Sequence, residues 1–410
     1  MRSKLPPALQ LRDFAFLWAA ILSLRFAENM VAVAVGWQVY AVHQKPLDLG
    51  LIGLAEFVPL PLLALPAGQL SDRFPRRLVL ASGLVLEATI AGLLLAVTLH
   101  GATALWPFLA LALATGVANA IGWPAYGALT PEIVPPELLP GAMALRSIAS
   151  QIAIVTGPAV GGLLFAVRPE LVYSVAVGLF AVAFVGVTAV RTQTVERGAP
   201  PDFSDLVAGV RFVLRTRMLL GAIGLDLFAV LFGGAVALLP VFARTILDVG
   251  PVGLGVLRSA PAVGALCAAV ILTRRPLRFP AGRTLLVVVA VFGGCMVVFG
   301  FSRWFPLSLG ALAVSGFADM ISVNIRSTTV GLITPNALRG RVSAVEMVFV
   351  SASNELGAFE SGVVAALLGT VTAVVAGGVA TIGVAVSWAR LFPSLAGMGR
   401  LEELRPAVRE

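Results

Sequence analysis

Charged residues are scarce in this chain. Asp, Glu, Lys and Arg make up 12% of its 410 residues, whereas soluble domains carry roughly 25%. Hydrophobic residues make up 59%, and the mean hydropathy is +0.97. Because no water-soluble fold can bury that much apolar surface, the low charge excludes a soluble globular protein. Most of the chain is therefore predicted to lie in lipid.

Cysteine and histidine are nearly absent. The two cysteines, Cys267 and Cys295, both fall inside apolar runs, where packing is a more common role than a disulfide or a metal pair. The two histidines, His43 and His100, lie near the ends of apolar runs. The sequence shows neither a His-centred catalytic site nor clustered acids for a metal and pyrophosphate. We therefore expect no metal, no cofactor and no enzyme activity.

The basic residues give a net charge of +8 but are not gathered in one patch. They fall in short segments between apolar runs, which is typical of membrane topology signals rather than of a nucleic-acid-binding surface. The first apolar run is too long for a cleavable signal peptide and continues into a pattern of many spans. We expect a multi-pass protein of the lipid bilayer with no nucleic-acid partner.

Long apolar runs occupy most of the chain. Each exceeds the ~20 residues that a helix needs to cross about 30 Å of hydrocarbon. Backbone groups cannot stay unpaired in lipid, so each run predicts a helix. The sequence thus predicts an all-α integral membrane protein with twelve transmembrane helices. The predicted spans are 13–41, 49–71, 78–100, 104–127, 139–166, 170–191, 219–243, 249–272, 282–302, 304–330, 341–368 and 371–393.

The loops between the spans differ in their content of Lys and Arg. With the N-terminus placed in the cytoplasm, the inside loops and tails hold 21 of these residues and the outside loops hold four. Cytoplasmic loops of membrane proteins are enriched in Lys and Arg, so the bias predicts that both termini are cytoplasmic. The expected location is the cytoplasmic (inner) membrane of a bacterium.

The chain also repeats itself at a shift of 200 residues. Six of the fifteen positions in 47–61 are identical to their counterparts in 247–261. An even number of spans in each copy keeps both copies in the same orientation, which predicts two pseudo-symmetric six-helix halves with a substrate site near the midplane. The identities are Leu47/Leu247, Asp48/Asp248, Gly50/Gly250, Gly53/Gly253, Leu54/Leu254 and Pro61/Pro261, followed by Gly157/Gly357 and Gly162/Gly362.

The repeat divides the chain into three segments. We predict an N-terminal half at 1–191, a cytoplasmic linker at 192–218 and a C-terminal half at 219–410. Within the linker, 203–214 has apolar residues at helical spacing and is expected to lie along the cytoplasmic surface. Both a tether and a regulatory segment fit this pattern.

Acids inside the spans are the candidates for proton coupling, because an unpaired charge in lipid is costly. Glu28, Asp226 and Asp319 lie near mid-span, and Glu28 and Asp226 occupy nearly matching places in the two halves. Arg25 lies three residues before Glu28 and therefore shares its helix face. A fixed ion pair and a titrating role are both open for Glu28. We expect Asp226 or Glu28 to carry the coupled proton, with Asp319 as the next candidate.

Other polar side chains in the spans are expected to line a cavity. Asp319 and Arg326 lie seven residues apart on one face, so either they pair or both face the cavity. Arg326 and Glu346 fall at similar depth and are predicted to form a structural ion pair. Glu87 is expected to pack against a neighbouring helix or to lie at the protein–lipid boundary. The cavity candidates are Arg25, Asn29, Asn119, Asn324, Arg326 and Glu355.

The loop after the second span carries a motif. It reads GQLSDRFPRR over residues 68–77 and resembles the signature loop of the major facilitator superfamily, G-x-L-x-D-R-x-G-R-R, with Pro75 in place of the second Gly. The resemblance implies that Asp72 meets the positive end of the eleventh helix and holds the cytoplasmic side shut in one state. The gating-loop candidates are Gly68, Asp72, Arg73, Arg76 and Arg77.

A second motif lies in the fifth span. The residues Gly157, Pro158, Gly161 and Gly162 resemble the G-P-x-x-G-G motif of the family's exporters and antiporters. Longer stretches, from Pro124 to this motif and over 319–360, are similar to the branch of the family that includes the enterobactin exporter. The resemblance covers nearly the whole chain. It implies the major facilitator fold and efflux of a small molecule driven by proton antiport.

Several functions remain as hypotheses. The leading one is proton-coupled export of a small amphipathic molecule, such as a siderophore or a drug, with the substrate, protons and the bilayer as partners. A lipid or lysolipid mover of the same fold is the second. An intramembrane transferase requires catalytic clusters that the sequence lacks. A non-transporting sensor would normally carry an added soluble domain, which we do not expect here.

Overall fold

The computed structural model describes residues 6–191, 203–275, 279–335 and 338–401, and these residues are almost entirely helical, with no strand among them. The α-helices are α1 (Arg12–His43), α2 (Pro46–Phe57), α3 (Pro59–Arg73), α4 (Arg76–Leu99), α5 (Trp106–Ile133), α6 (Leu139–Val167), α7 (Pro169–Ala189), α8 (Phe203–Arg215), α9 (Arg217–Phe232), α10 (Leu239–Val241), α11 (Gly250–Arg274), α12 (Ala281–Phe301), α13 (Phe305–Ile333), α14 (Arg339–Leu368), α15 (Thr370–Leu391) and α16 (Pro393–Ala396).

The helices confirm the predicted fold class. In the described part of the chain, eleven helical segments are long and apolar enough to cross a membrane. The predicted eleventh span forms α14, a helix of 30 residues that is not among these eleven. It contains three acids, Glu346, Glu355 and Glu360, which make it more polar than the others. The protein is an all-α membrane protein, and the count of twelve spans stays a prediction.

Two predicted spans are not continuous helices. In the second, α2 ends at Phe57 and α3 begins at Pro59, because proline lacks the N–H that would continue the helical bonding. In the seventh, α9 ends before Gly233 and Gly234, and a 3₁₀ turn, the short α10 and a π-helical turn at Phe242–Ile246 follow. The apolar runs predicted one continuous helix for each segment, so both breaks differ from that prediction.

The helices form two compact units, each with a short segment from the other half of the chain. Unit 1 contains the described residues of Met1–Gln44, Ala55–Pro201 and Val249–Ser259. Unit 2 contains those of Lys45–Leu54, Asp202–Asp248 and Ala260–Glu410. The start of α2 is therefore counted with unit 2, and the start of α11 with unit 1.

Unit 1 has an apolar core with one buried polar link. Leu17, Leu84 and Phe180 are each at most 2% exposed and belong to one cluster that joins α1, α4 and α7. Nearer the ends of the same helices, the Tyr173 hydroxyl donates to Gln38 Oε1 at 2.7 Å, and Gln38 Nε2 donates to a threonine of α4 at 3.0 Å. Because each of these buried polar groups has a partner, the link adds no unpaired group to the interior.

Unit 2 is held together by a similar combination. Trp388 of α15 stacks on Phe392 with ring centroids 5.3 Å apart, and its Nε1 donates to the carbonyl oxygen of Gly221 at 2.9 Å. The helix in the predicted linker, α8, packs against α14: a Cβ on Gly209 would lie 2.9 Å from the carbonyl oxygen of Arg341. The linker residues 192–202 lie outside the described residues.

The same helix crossing occurs in both units and supports the internal repeat. In unit 1, a Cβ on Gly116 of α5 would overlap the carbonyl oxygen of Glu56. In unit 2, a Cβ on Gly316 of α13 would overlap the carbonyl oxygen of Pro261. Small residues allow membrane helices to approach this closely. Gly116 and Gly316 are 200 residues apart, so the repeat places a glycine at the equivalent point of each half.

We expect Gly316→Val to destabilise the protein. The added side chain has to displace the backbone of α11, and overpacking of this kind costs roughly 1–3 kcal/mol. The measurement is the thermal unfolding midpoint of the detergent-solubilised protein. Gly310→Val is the matched control, because it lies on the same helix and no atom lies within 4 Å of its Cβ position. Equal midpoints for the two variants would contradict the proposed crossing.

Candidate functional site

The charged pair of α1 lies inside unit 1. Arg25 Nη1 is 2.9 Å from Glu28 Oε2, and the two side chains are 22% and 21% exposed. The spacing of three residues puts both groups on one helix face, as their positions in the sequence indicate. Asn29 does not contact either charge: its Nδ2 donates to the backbone oxygen of Arg25 at 2.8 Å.

Aromatic rings of α5 cover Arg25 and Arg146 of unit 1. The Arg25 guanidinium carbon lies 4.9 Å from the ring centre of Tyr126 and 5.7 Å from that of Trp123. The Arg146 guanidinium carbon lies 4.0 Å from the ring centre of Tyr126. Arg146 also donates to the backbone oxygen of Gly127 at 3.2 Å. Both guanidinium groups therefore form cation–π contacts with Tyr126. The face of this ring partly compensates their positive charge, which lipid cannot do.

These groups surround a pocket between α1, α4 and α5. Asn119, a predicted cavity residue, lines it together with Arg25 and Glu28. Glu87 of α4 lines the same pocket and is only 7% exposed. Its burial excludes a position at the protein–lipid boundary. Unit 1 therefore brings two carboxyl groups and one guanidinium to a single pocket.

Unit 2 has a charged cluster centred on a buried arginine. Arg326 of α13, 5% exposed, forms ion pairs with Asp226 of α9 and with Glu346 of α14. Its Nε lies 3.3 Å from Glu346 Oε1. The pair with Glu346 corresponds to the predicted structural pair. Asp226 was not predicted as the other partner, because it lies 100 positions from Arg326 in the sequence.

Asp319 lies in the same unit without an ion pair. It lines a second pocket with Asp226 and Ser322. Within the described residues, Asp319 forms neither a hydrogen bond nor an ion pair, and the nearby charges are those of Asp226 and Arg326. One guanidinium therefore stands among three carboxyl groups, two that it contacts and one that it does not.

Asn324 and Glu355, the remaining cavity candidates, also belong to unit 2. The backbone oxygen of Asn324 accepts from Ser327 Oγ at 3.3 Å, and its side chain is half-buried. The carboxylate of Glu355 lies beside the start of α2, 3.2 Å from the position a Cβ on Gly53 would take. Among the residues that the structure describes, no group of three or more His, Cys, Asp or Glu is arranged to hold a metal ion.

Two arginines of the predicted gating loop, Arg76 and Arg77, are the first residues of α4 and are anchored by polar contacts. Arg76 Nη1 lies 2.9 Å from Glu132 Oε1 of α5, and Arg77 Nη1 donates to the backbone oxygen of Val190 at 3.1 Å. Arg73 is exposed, and no atom lies within 4 Å of a Cβ placed on Gly68. The side chain of Asp72 lies outside the described part of the structure, so its predicted contact stays a prediction.

The glycine motif of α6 forms close helix contacts. Gly161 packs on α1, where its Cβ would lie 2.9 Å from the Cα of Met30. Gly157 packs on the same helix, 2.9 Å from the Cβ of Asn29. Gly162 packs on the start of α11, where a Cβ would overlap the carbonyl oxygen of Pro251. Pro158 lies inside α6, which continues beyond it, and the residue is buried.

Two aromatic residues of the pocket in unit 1 were not singled out from the sequence. Tyr126 and Trp123 lie one turn apart on α5, and this aromatic spacing could have indicated a cation partner. The burial of Glu87 gave no signal, since a lone acid in an apolar span has the same pattern whether it faces lipid or the interior.

Comparison with known proteins identifies the family. Residues 3–397 match the family described as transmembrane secretion effector. The enterobactin exporter EntS of Shigella boydii is 27% identical over 399 residues, which cover 95% of this chain and 92% of the exporter. A Na(+), Li(+), K(+)/H(+) antiporter of Planococcus maritimus is 26% identical over 315 residues, which cover 68% of this chain and 72% of the antiporter.

Solved structures share the fold at low sequence identity. A bacterial homologue of the human lysosomal transporter Spinster, in an inward-facing and occupied conformation, has a TM-score of 0.73 at 14% identity and covers 96% of this chain and 98% of its own. A mutant of the nucleoside transporter NupG has a TM-score of 0.72 at 12% identity and covers 94% of this chain and 99% of its own. The chain therefore belongs to the transmembrane secretion effector family, in the EntS-like branch of the major facilitator superfamily of transporters.

Proposed function

We propose that this transporter exports a small amphipathic molecule, such as a siderophore or a drug, in exchange for protons. The relative from Shigella boydii is named as an exporter and the one from Planococcus maritimus as a proton antiporter, and both names support efflux coupled to ions. The glycine motif of α6 supports the same direction, because it resembles that of the family's exporters and antiporters.

The observation that carries the proposal is the excess of acid around Arg326. Asp226 and Glu346 both contact this guanidinium, and Asp319 lies in the adjacent pocket. With all three carboxyls ionised, the cluster would hold two uncompensated negative charges at low dielectric, which is strongly unfavourable. The cluster therefore has the composition of a proton-binding site, in which proton occupancy and the ion pairs depend on each other.

Among the three coupling candidates, Asp319 fits the proton site best in this conformation. Glu28 is compensated by Arg25 and Asp226 by Arg326, whereas Asp319 has no such contact within the described residues. We propose that Asp319 takes up the proton and that Asp226 keeps Arg326 in place. Arg25 and Asn119, in the pocket of unit 1, are proposed to face the substrate.

We expect Asp319→Asn to reduce pH-driven transport to the level of empty liposomes. An amide has the shape of the protonated acid but cannot release a proton, so a pH gradient no longer drives the cycle. The measurement is proton flux into proteoliposomes containing a trapped pH-sensitive dye, across a panel of amphipathic probes.

The control for this variant is substrate exchange without a pH gradient, which does not need proton release and should persist. Glu137→Gln is a second control, because this acid is exposed in the segment between α5 and α6. Undiminished pH-driven transport by Asp319→Asn would place the proton site elsewhere.

A second candidate function is the exchange of monovalent cations for protons. The observation that favours it is the similarity to the Na(+), Li(+), K(+)/H(+) antiporter over 68% of this chain, together with the excess of acid in unit 2. The same proteoliposome assay distinguishes the two candidates when Na⁺, Li⁺ and K⁺ are included as probes. Flux with a metal cation alone would favour this second function.

We expect Asp72→Asn to impair transport while membrane insertion stays normal. The acid lies in the last turn of α3, where losing one charge costs little desolvation energy. Its proposed partner, the N-terminal end of α14, is available in one conformer only, so the variant shifts the conformational populations. Transport and expression are measured side by side, and normal transport at normal expression would reduce Asp72 to a topology signal.

We also expect both chain termini to be cytoplasmic. The reason is the bias of 21 basic residues in one set of loops against four in the other. Fusions of alkaline phosphatase and of a fluorescent protein to each terminus test the orientation, since the first is active only outside and the second fluoresces only inside. A phosphatase-active fusion at either end would reverse the assignment.

A further inference from the structure

Glu87 is a buried acid in the middle of α4. It is the twelfth of the 24 residues of α4, which places it about 18 Å from either end of the helix. The residue is 7% exposed, and its Oε1 has no hydrogen-bond partner in the described part of the structure. An isolated carboxylate in such surroundings is so unfavourable that the group takes up a proton instead.

The acid groups near Glu87 strengthen this conclusion. Its charged neighbours are Glu28 of α1 and Glu56 of α2, so ionisation of Glu87 would add a negative charge beside two other carboxyl groups. Arg25 is the only cation among the described residues that line the pocket, and it already contacts Glu28 at 2.9 Å. Glu28 is thus compensated in this conformation and Glu87 is not.

The other helices packed on α4 bring no cation to mid-span. The charged residue of α7 is Glu170, in its first turn, and α3 has its charged residues, Asp72 and Arg73, in its last turn. From α5, Asn119 and Tyr126 line the pocket. No described neighbour therefore replaces the missing counter-ion of Glu87.

We propose that Glu87 is a proton-binding residue of this transporter, which holds a proton while its carboxyl group is enclosed as in this structure and releases it when water reaches the pocket. Release breaks the O–H bond of the carboxyl group and transfers the proton to a water molecule. The carboxylate that remains lies in the pocket of Arg25, whose guanidinium then stands between two acids, Glu28 and Glu87. This inference rests on the proposed proton-coupled function and assigns it a second site, in unit 1.

The pocket contains the groups that reversible release of a proton from Glu87 requires. Arg25 is held by an ion pair and by the faces of Tyr126 and Trp123, so it can turn from one carboxylate toward the other while the rings continue to stabilise its charge. A structural acid that never ionises would need no nearby guanidinium that can turn toward it. The proposal thus differs from a structural role in one measurable respect: Glu87 must lose and regain its proton while the protein stays folded.

Infrared spectroscopy of the protein in nanodiscs tests this directly and needs no substrate. A protonated carboxyl group gives a C=O stretching band that shifts in D₂O. We expect the wild type to show such a band, with an intensity that falls as the pH is raised over the range in which the protein stays folded. We expect Glu87→Gln to lack this component and Glu137→Gln to retain it.

Two results would overturn the proposal. One is a spectrum of Glu87→Gln that keeps the whole band, which would mean that Glu87 is ionised. The other is a Glu87 component that is unchanged at every pH, which would mean a permanently protonated structural acid. Because glutamine has the shape of a protonated glutamate, the variant should also unfold at the wild-type temperature, and Glu87→Asp, which retains a carboxyl group, should restore a titrating band.

Transport then separates this inference from the proposed function. In proteoliposomes with ethidium, Na⁺, Li⁺ and K⁺ as probes, we expect Glu87→Gln to lose flux driven by a pH gradient and to keep exchange without one. If the wild type moves none of these probes under a pH gradient, the proposed coupling loses its support, whereas the infrared test of Glu87 still stands. If the wild type is driven by pH and Glu87→Gln is driven equally, Glu87 has no part in coupling.

Discussion

A charge inside an apolar helix must be compensated or neutralised, and this constraint explains the arrangement of polar groups in both units. Unit 1 compensates Arg25 with Glu28 and with the π faces of α5. Unit 2 compensates Asp226 and Glu346 with Arg326. At both sites the guanidinium is the scarce component, because one arginine stands among two or more carboxyl groups. Acids in excess of the available cations become sites where protons bind.

The two units pack their helices in the same way but place their charged groups differently. Glycines at equivalent positions, Gly116 and Gly316, bring α5 and α13 against the neighbouring backbone. The charged groups do not follow this symmetry: Asp319 stands where the first half has Asn119, and Glu87 has Val287 as its counterpart. The helix scaffold is therefore duplicated, whereas the ionisable groups differ between the two copies.

The sequence predicted the fold class and the repeat because both depend on patterns that span many residues. Apolar runs of helix length and a repeat at a shift of 200 residues can be read from the sequence whatever the details of side-chain packing are. The pair of Arg25 and Glu28 was also within reach, because three residues of helix determine its geometry. Partners from different helices were not: nothing in the local sequence links Asp226 to Arg326. The break before Gly233 and the burial of Glu87 likewise depend on which face meets a neighbour.

The equivalent crossings at Gly116 and Gly316 have an evolutionary consequence. A tandem gene duplication leaves two copies of every helix, and a large side chain at either crossing would separate helices that have to touch. Mutation could therefore change the ionisable groups of one copy while the architecture of both was retained. In such a lineage, the ionisable groups of the two halves can diverge independently of each other, with the shared helix packing preserved throughout.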